Sequence, residues 1–382
     1  MAIDLGAARE VFATSTEGTV GLEEEFAVLD PETLAMAPRF EELRDTAPTE
    51  LGERITGELI KSEIEIVSGR GEDFRDAVAR QRDARRRLFA HAARAGVELG
   101  ATGTHAFADY REQEFIDTEH YRRVADGLQW VAKRNNTFSL HVHVGINGPD
   151  RAVRTCDRLR TVLPGLLAIS ASSPFYDALD SGLHSARTQM FTRNFPRCGI
   201  PDAFGGWDEY AAYVDFLVRS NSIVEYTQVW WSVRPHFSFG TVEVRICDAQ
   251  PTATESEAVA ALVVAAVLQA ARDVDEDRRE WETVPNRLVE ENVWRAIRFG
   301  MDGKFVSPET GEEREARRVL EDMLEWTAPA RAEHNLGEPA FPERNSAQRQ
   351  RALIAEGLGP REVYAATVRE TRATYAQEVP TA

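Results

Sequence analysis

The stretch TFSLHVHVGI, residues 137–146, alternates apolar and polar positions without a break. Phe138, Leu140, Val142, Val144 and Ile146 fall on one face, and Ser139, His141, His143 and Gly145 on the other. Period two is the mark of a β-strand with one buried face. Asn147-Gly148-Pro149 then ends the strand with turn residues. TVEVRICD at 241–248 follows the same rule: Val242, Val244 and Ile246 face a core, and Thr241, Glu243 and Arg245 share the other side. VGLEEEFAVL at 20–29, closed by Asp30-Pro31, sets Glu23 and Glu25 opposite Leu22, Phe26 and Val28. Glu24 falls on the apolar side and reads as structural. Residues 55–68, ITGELIKSEIEIVS, read as one or two strands ended by Gly69-Arg70-Gly71, and 97–102 as a short one.

Helical spacing fills the intervals. It is expected over 72–95, with Phe74, Ala77, Val78, Leu88 and Ala92 near one face, and over 118–133. It is also expected over 151–172, kinked near Pro164, over 208–220 and over 256–272. The apolar run 258–271 is too short to span a bilayer and reads as a buried helix. Residues 173–206 are rich in Gly, Pro and aromatics with little periodicity, and 181–206 are the candidate lid on loop length. From about residue 284 the chain reads as mostly helical. No βαβ repeat dominates, so the expected class is α+β with a mostly antiparallel sheet. The expected organisation is a catalytic α+β domain over 1–275 with a helical region over 276–382 packed on it.

Composition narrows the function. Of 382 residues, 43% are apolar and 28% charged, as in a globular chain with a sizeable core. With 45 Lys+Arg against 63 Asp+Glu the formal net charge is −18, which disfavours nucleic acid and anionic membrane as partners. Cys156, Cys198 and Cys247 form neither a disulfide framework nor a paired zinc motif. Residues 1–4 carry no basic and apolar leader pattern, so no signal peptide and a cytoplasmic, reduced setting are expected.

The polar faces carry the chemistry. Acids in an otherwise apolar strand are costly unless they bind something. Glu23 and Glu25 share a face, as do Glu63 and Glu65, while Glu58 has opposite parity and joins them only through a bend. His141 and His143 flank this picture, as do Glu243 and Arg245. Arg187, Arg193 and Arg234 lie in or near segments rich in Pro, Gly and aromatics, and arginine suits phosphate and carboxylate. Each pattern also fits a plain structural role: a solvated strand edge, a satisfied sheet histidine or a cross-strand ion-pair ladder. Taken together they describe one face with several glutamates, a histidine and arginines. Oxygen-rich sites with one nitrogen suit Mg²⁺ or Mn²⁺ rather than zinc. Such ions can neutralise a triphosphate, which points to ATP-dependent phosphoryl chemistry.

GLEEEF at 21–26, ELIKSEIEI at 58–66, HVHVGI at 141–146, SSPFYDALDSGLHSAR at 172–187, WWSVRP at 230–235 and TVEVRICD at 241–248 occur in order. With ENVWRAIRFGMDG at 291–303 they resemble, over nearly the whole chain, the type 2 glutamate–cysteine ligases, also called carboxylate–amine ligases. The resemblance implies a fold of the glutamine-synthetase catalytic type, a curved antiparallel sheet whose concave face holds ATP, metal ions and glutamate. It implies that a γ-glutamyl phosphate forms and that an amine, cysteine by default, displaces the phosphate. By motif position, Glu23, Glu25, Glu58, Glu65, Glu243 and His143 are implied metal ligands. His143 and Arg234 are implied cofactor-binding residues, and Arg245 and Arg187 the catalytic arginines. The implied partners are ATP, glutamate and an amine, and a homo-oligomer stays open. Ser232, Lys61 with Glu63, and Phe138-Ser139-Leu140 depart from the family pattern and bear on the acceptor pocket. Three alternatives remain: another acceptor amine, a γ-glutamyl amide hydrolase and a non-catalytic nucleotide-binding protein.

Overall fold

The alternating stretches pair with one another. The computed structural model of the chain describes residues 3–376, so the reading of Met1 and Ala2, and the last six residues of the helical region, lie outside it. One sheet is built from β1 (Val20–Leu29), β2 (Ile55–Thr56), β3 (Glu63–Val67), β4 (Glu98–Gly100), β5 (Ser139–Gly145), β6 (Val233–His236) and β7 (Thr241–Asp248). The order across it is β6-β7-β5-β1-β3-β2, and β4 pairs with the end of β1 on the flank where β5 leaves off. Every pairing in this sheet is antiparallel.

One face of the sheet is apolar and covered by helices. Leu22, Val142, Val144 and Val242 join Val259, Val263 and Val267 of the helix Ala253–Asp275 in one core. Phe26, Val28, Ile64 and Ile66 pack with Leu88 and Phe89 of the helix Phe74–Arg94 and with Tyr375 of the helix Pro360–Tyr375. Each such side chain, fully buried, contributes about 1.5–3 kcal/mol. Elements from the C-terminal third enter the same cores: Val289, Val293, Met323 and Ala330 belong to the first.

The structure refines several boundaries. The helical stretch near Pro164 is two helices, Pro149–Leu159 and Leu163–Ser170, each with proline in its first turn, where a missing N–H costs nothing. Residues 118–133 split into the helix Glu119–Leu128, none of whose residues is buried, and a 3-10 turn, Gln129–Arg134. The segment 173–206, expected to be irregular, is partly ordered. It holds a two-stranded hairpin, Phe175–Tyr176 with Leu179–Asp180, and the helix Ala186–Asn194. That helix buries Ala186, Arg187 and Thr188, so it shows no apolar stripe to read. The C-terminal region also carries a ribbon, Lys304–Val306 with Glu313–Glu315. Among the described residues no helix is long and apolar enough to cross a membrane.

Glu24 is the exception on the apolar face, and its neutralisation comes from behind. Arg85 grips it through Nε and Nη2, both at 2.6 Å, Gln81 Nε2 donates at 2.9 Å, and the Ser256 hydroxyl donates as well. The Arg85 guanidinium lies 4.9 Å from the Tyr375 ring centroid. Two strands of covering helix and the C-terminal helix therefore converge on one buried ion pair. Truncating Glu24 leaves the buried Arg85 with only the part-buried Glu257, 2.8 Å from its Nη1, at a cost of up to about 3–5 kcal/mol. Glu24→Ala is expected to lose that much in urea unfolding, and Glu24→Leu/Arg85→Met to recover most of it. A Glu24→Ala protein as stable as wild type would refute this role.

Candidate active site

The opposite face of the sheet is polar, and its residues meet rung by rung. Arg234, Glu243, His143 and Gly21 lie across one rung of β6, β7, β5 and β1. His141 pairs with Glu23, Glu25 with Glu65, and Ala27 with Glu63. Period two thus carries the polar side chains of these strands, Glu24 excepted, to one side. Glu58 arrives from the link between β2 and β3, where strand parity does not apply, and Arg187 from the helix Ala186–Asn194. All of them except Gly21 and Ala27 line a cavity of about 350 Å³. Leu59, Tyr121, Val124, Phe191, Phe195 and Trp230 supply its less polar walls. Over one side lies the helix Glu119–Leu128, where His120 Nδ1 is 2.8 Å from Glu225 Oε1 of the segment leading to β6.

Every residue expected at the site lines this cavity: Glu23, Glu25, Glu58, Glu65, Glu243, His143, Arg187, Arg234 and Arg245. Arg193 does not; it pairs with Glu290 at 2.7 Å in an exposed position. Arg187 and Arg234 sit on a helix and on β6 rather than in loops. Arg234 has little left for a ligand. Its Nε and Nη2 hold Glu243 at 2.6 and 3.2 Å, and its Nη1 donates to the carbonyls of Thr227 and Val229. Arg187 donates to the carbonyls of Arg245 and Ile246, both at 3.1 Å, with Asp248 3.6 Å away. Arg245 donates to Glu243 through Nη1, while its buried Nε has no partner.

Two residues at the centre were left out of the expected set, His141 and Glu63. Strand parity put both on the polar face, but only distances single them out. His141 Nδ1 is 3.1 Å from Glu23, and Nε2 is 3.9 Å from Glu25. Glu23, His141 and Glu243 form one group of potential ligands and Glu25, Glu65 and His141 another, the donor atoms of each lying within 4.8 Å of one another. His143 and Glu58 belong to neither group. His143 Nδ1 meets Thr241 Oγ1 at 2.9 Å, and its Nε2 is 3.1 Å from Glu23. Tyr121 reaches the cavity from the helix Glu119–Leu128, and Asn135 and Thr227 from segments without a readable period.

Six buried or part-buried carboxylates in one cavity pose an electrostatic problem that the protein solves only in part. Burial works against ionising Glu23, but His143 and His141 outweigh it and hold the carboxyl well below its usual range. Glu243 is held low in the same way by Arg234 and Arg245. For Glu58, Glu63 and Glu65 the pull of Arg245 or Arg187 is too weak to offset burial and like charge. Burial, then the charge of Glu25, pushes Glu58 up to about 8. Burial and neighbouring acids also drive Glu63 and Glu65 well above the carboxylate range. Burial, with Arg245 next, lowers His141, whereas Glu23 and Glu243 overcome burial to raise His143. The Glu63 Oε2 atom is buried without a hydrogen-bond partner, and the buried His143 Nε2 faces Glu23 at 3.1 Å without a well-aligned hydrogen bond. Excess negative charge, orphaned donors and acceptors, and a set of carboxylate oxygens with one imidazole fit hard divalent cations such as Mg²⁺ or Mn²⁺.

Comparison with known proteins agrees with this architecture. The model of the glutamate–cysteine ligase family 2 matches residues 19–346. A protein of Rubrobacter xylanophilus provisionally named glutamate–cysteine ligase 2-2 is 38% identical over 369 residues, 95% of this chain and 94% of that protein. One of Solibacter usitatus, provisionally named glutamate–cysteine ligase 2, is 36% identical over 81% of this chain and 80% of its own length. Among solved structures, the glutamate–cysteine ligase of Francisella tularensis in complex with AMP superposes with a TM-score of 0.68 at 11% identity, covering 95% of this chain and 90% of that one. A bifunctional glutathione synthetase of Pasteurella multocida gives 0.62 at 14% identity, covering 96% and 53%. The α+β fold with its mostly antiparallel sheet is therefore the ligase fold of the glutamine-synthetase catalytic type that the motifs implied. The chain belongs to the glutamate–cysteine ligase family 2 and is a ligase.

Proposed function

We propose that the protein joins glutamate to an amine in a reaction dependent on ATP and on Mg²⁺ or Mn²⁺, through γ-glutamyl phosphate, with cysteine as the acceptor. The observation that carries this reading is the crowding of six carboxylates with Arg187 and Arg245 around one cavity on the sheet. The AMP in the Francisella ligase supports an adenine nucleotide, and the names of the relatives support cysteine. A cytoplasmic location accords with both substrates.

Glu23 and Glu243 with His141, and Glu25 with Glu65, would hold the divalent cations, with Glu58 and Glu63 completing the donor set. When bound, these ions neutralise the triphosphate and polarise its γ-phosphoryl group. Arg234 holds Glu243 in place rather than binding the nucleotide itself. Arg245, anchored through Glu243, keeps its Nε for the transferred phosphoryl group. Arg187, braced on two carbonyls, offers its remaining edge to a substrate carboxylate. A γ-carboxylate oxygen of glutamate attacks the γ-phosphorus, and the bond to the ADP oxygen breaks with its electron pair. The amine nitrogen then attacks the acyl carbon, the bond to phosphate breaks, and a carboxylate of the same face takes the ammonium proton. Phe191, Phe195 and Trp230 help to shield the acyl phosphate from water.

The test is ADP release with Mg²⁺-ATP and glutamate, with and without a panel of amines that includes cysteine. Cysteine-dependent release with γ-glutamylcysteine in the mass spectrum is expected. Release driven by another amine renames the acceptor, and absence of turnover with every amine refutes the ligation reading. Glu65→Gln separates function from stability. In the metal-free protein this carboxyl is crowded by Glu23, Glu58 and Glu25, so its amide should fold at least as well as wild type. The same variant should lose about 100-fold or more in kcat. Normal turnover would remove Glu65 from the machinery.

Stability should depend on pH in a direction set by the same acids. Near pH 7 the folded protein retains protons on Glu58, Glu63 and Glu65 that the unfolded chain has released, and His143 acts in the same sense. Folded-state protons in excess mean that stability falls as pH rises. The lowered His105, His141, His184 and His236 work the other way near pH 7, where an unfolded imidazole is still about one-quarter protonated, but this opposing contribution fades by pH 8. The melting temperature of metal-free protein should therefore drop between about pH 7 and 8, and saturating Mg²⁺ should abolish the drop. A flat or rising metal-free profile would contradict the assignment.

A further inference from the structure

Ser139 opens β5 on the cavity face and is buried. Its N–H and its hydroxyl both donate to Glu25 Oε2, the hydroxyl at 2.6 Å. The same Oγ lies 2.8 Å from His141 Nε2, and His141 Nδ1 lies 3.1 Å from Glu23 Oε2. Glu25, Ser139, His141 and Glu23 thus form one line of contacts across β1 and β5.

The line has a fixed direction. A serine hydroxyl has one proton to give, and an ionised carboxylate is the acceptor that makes the stronger bond. With its proton on Glu25, Ser139 can only accept from His141, so Nε2 carries the ring proton. An imidazole that binds a cation is neutral and has a single lone pair. That lone pair is left on Nδ1, the nitrogen facing Glu23. His141 belongs to both groups of potential ligands, yet it can serve only one of them.

We propose that Ser139 is a positioning residue that commits His141, through Nδ1, to the cation site formed with Glu23 and Glu243, leaving an all-oxygen site at Glu25 and Glu65. The proposal rests on the reading of the cavity as a two-cation site. It makes the two sites chemically unequal: a site with an imidazole nitrogen favours Mn²⁺ over Mg²⁺ more than a carboxylate site does. Ser139 then contributes to metal choice without touching a metal.

Two measurements test this on the purified full-length protein. In ¹⁵N NMR of the histidines with Mg²⁺ bound, His141 should carry its proton on Nε2. In Mn²⁺ titration followed by electron paramagnetic resonance, wild type should show two sites. Ser139→Ala should weaken the site at Glu23 and Glu243 by about 10–100-fold and the site at Glu25 and Glu65 by less, because the backbone N–H of residue 139 still donates to Glu25. Ser139→Thr, which restores the hydroxyl, should return wild-type affinities, and Glu65→Gln should remove the site that Ser139→Ala weakens less. An Nδ1 proton, or two unaltered affinities in Ser139→Ala, overturns the role of Ser139 while leaving the two-cation reading intact. Absence of Mn²⁺ binding in wild type overturns that reading itself.

Discussion

Like charges gathered in a place that water hardly reaches are the constraint around which this molecule is organised. Glu23, Glu25, Glu58, Glu63, Glu65 and Glu243 converge on one cavity, and the side chains around them neutralise only some of that charge. The sheet tolerates the arrangement because its other face is covered by helices and supplies the free energy of folding. Strand pairing then fixes where each acid stands, because a one-residue slip would turn every carboxylate into the core.

The two faces of β1 show two ways of keeping a buried acid. Glu24, facing the helices, is closed off by Arg85, Gln81 and Ser256, with nothing left to bind. Glu23 and Glu25, one residue to either side, meet histidines and a serine but no arginine within salt-bridge distance. The first arrangement is complete within the chain. The second is complete only with ions from solution, and that difference separates structure from function along three consecutive residues. Arg234 shows the same economy on β6, since its bonds to Glu243 and two carbonyls make it a support for a ligand.

Much of this was legible in the order of residues. Unbroken alternation over 20–29, 137–146 and 241–248 located three neighbouring strands and their polar faces, and parity alone marked Glu24 as different. The α+β class followed from the lack of a βαβ repeat. The helix Ala186–Asn194 escaped because its buried side is made of alanine, arginine and threonine, so Arg187 was placed in a loop. His141 and Glu63 were visible on the right face, but a period of two cannot distinguish one member of a face from the next. Tyr121 comes from a helix that was expected, but its place at the cavity, like that of Asn135 and Thr227 in short irregular segments, depends on tertiary packing that no local pattern announces.

The helix Glu119–Leu128 stands apart from the rest of the cavity wall because none of its residues is buried. Moving it would uncover Tyr121, which packs against the second core cluster, and would break polar contacts such as His120 with Glu225 and the Tyr121 hydroxyl with the Gly57 carbonyl. Local openings of that kind sit at the low end of a protein's free-energy scale. The sheet that places the charges is held from behind by a full apolar core, whereas this stretch of the cavity rim is held by one aromatic side chain and a few polar contacts.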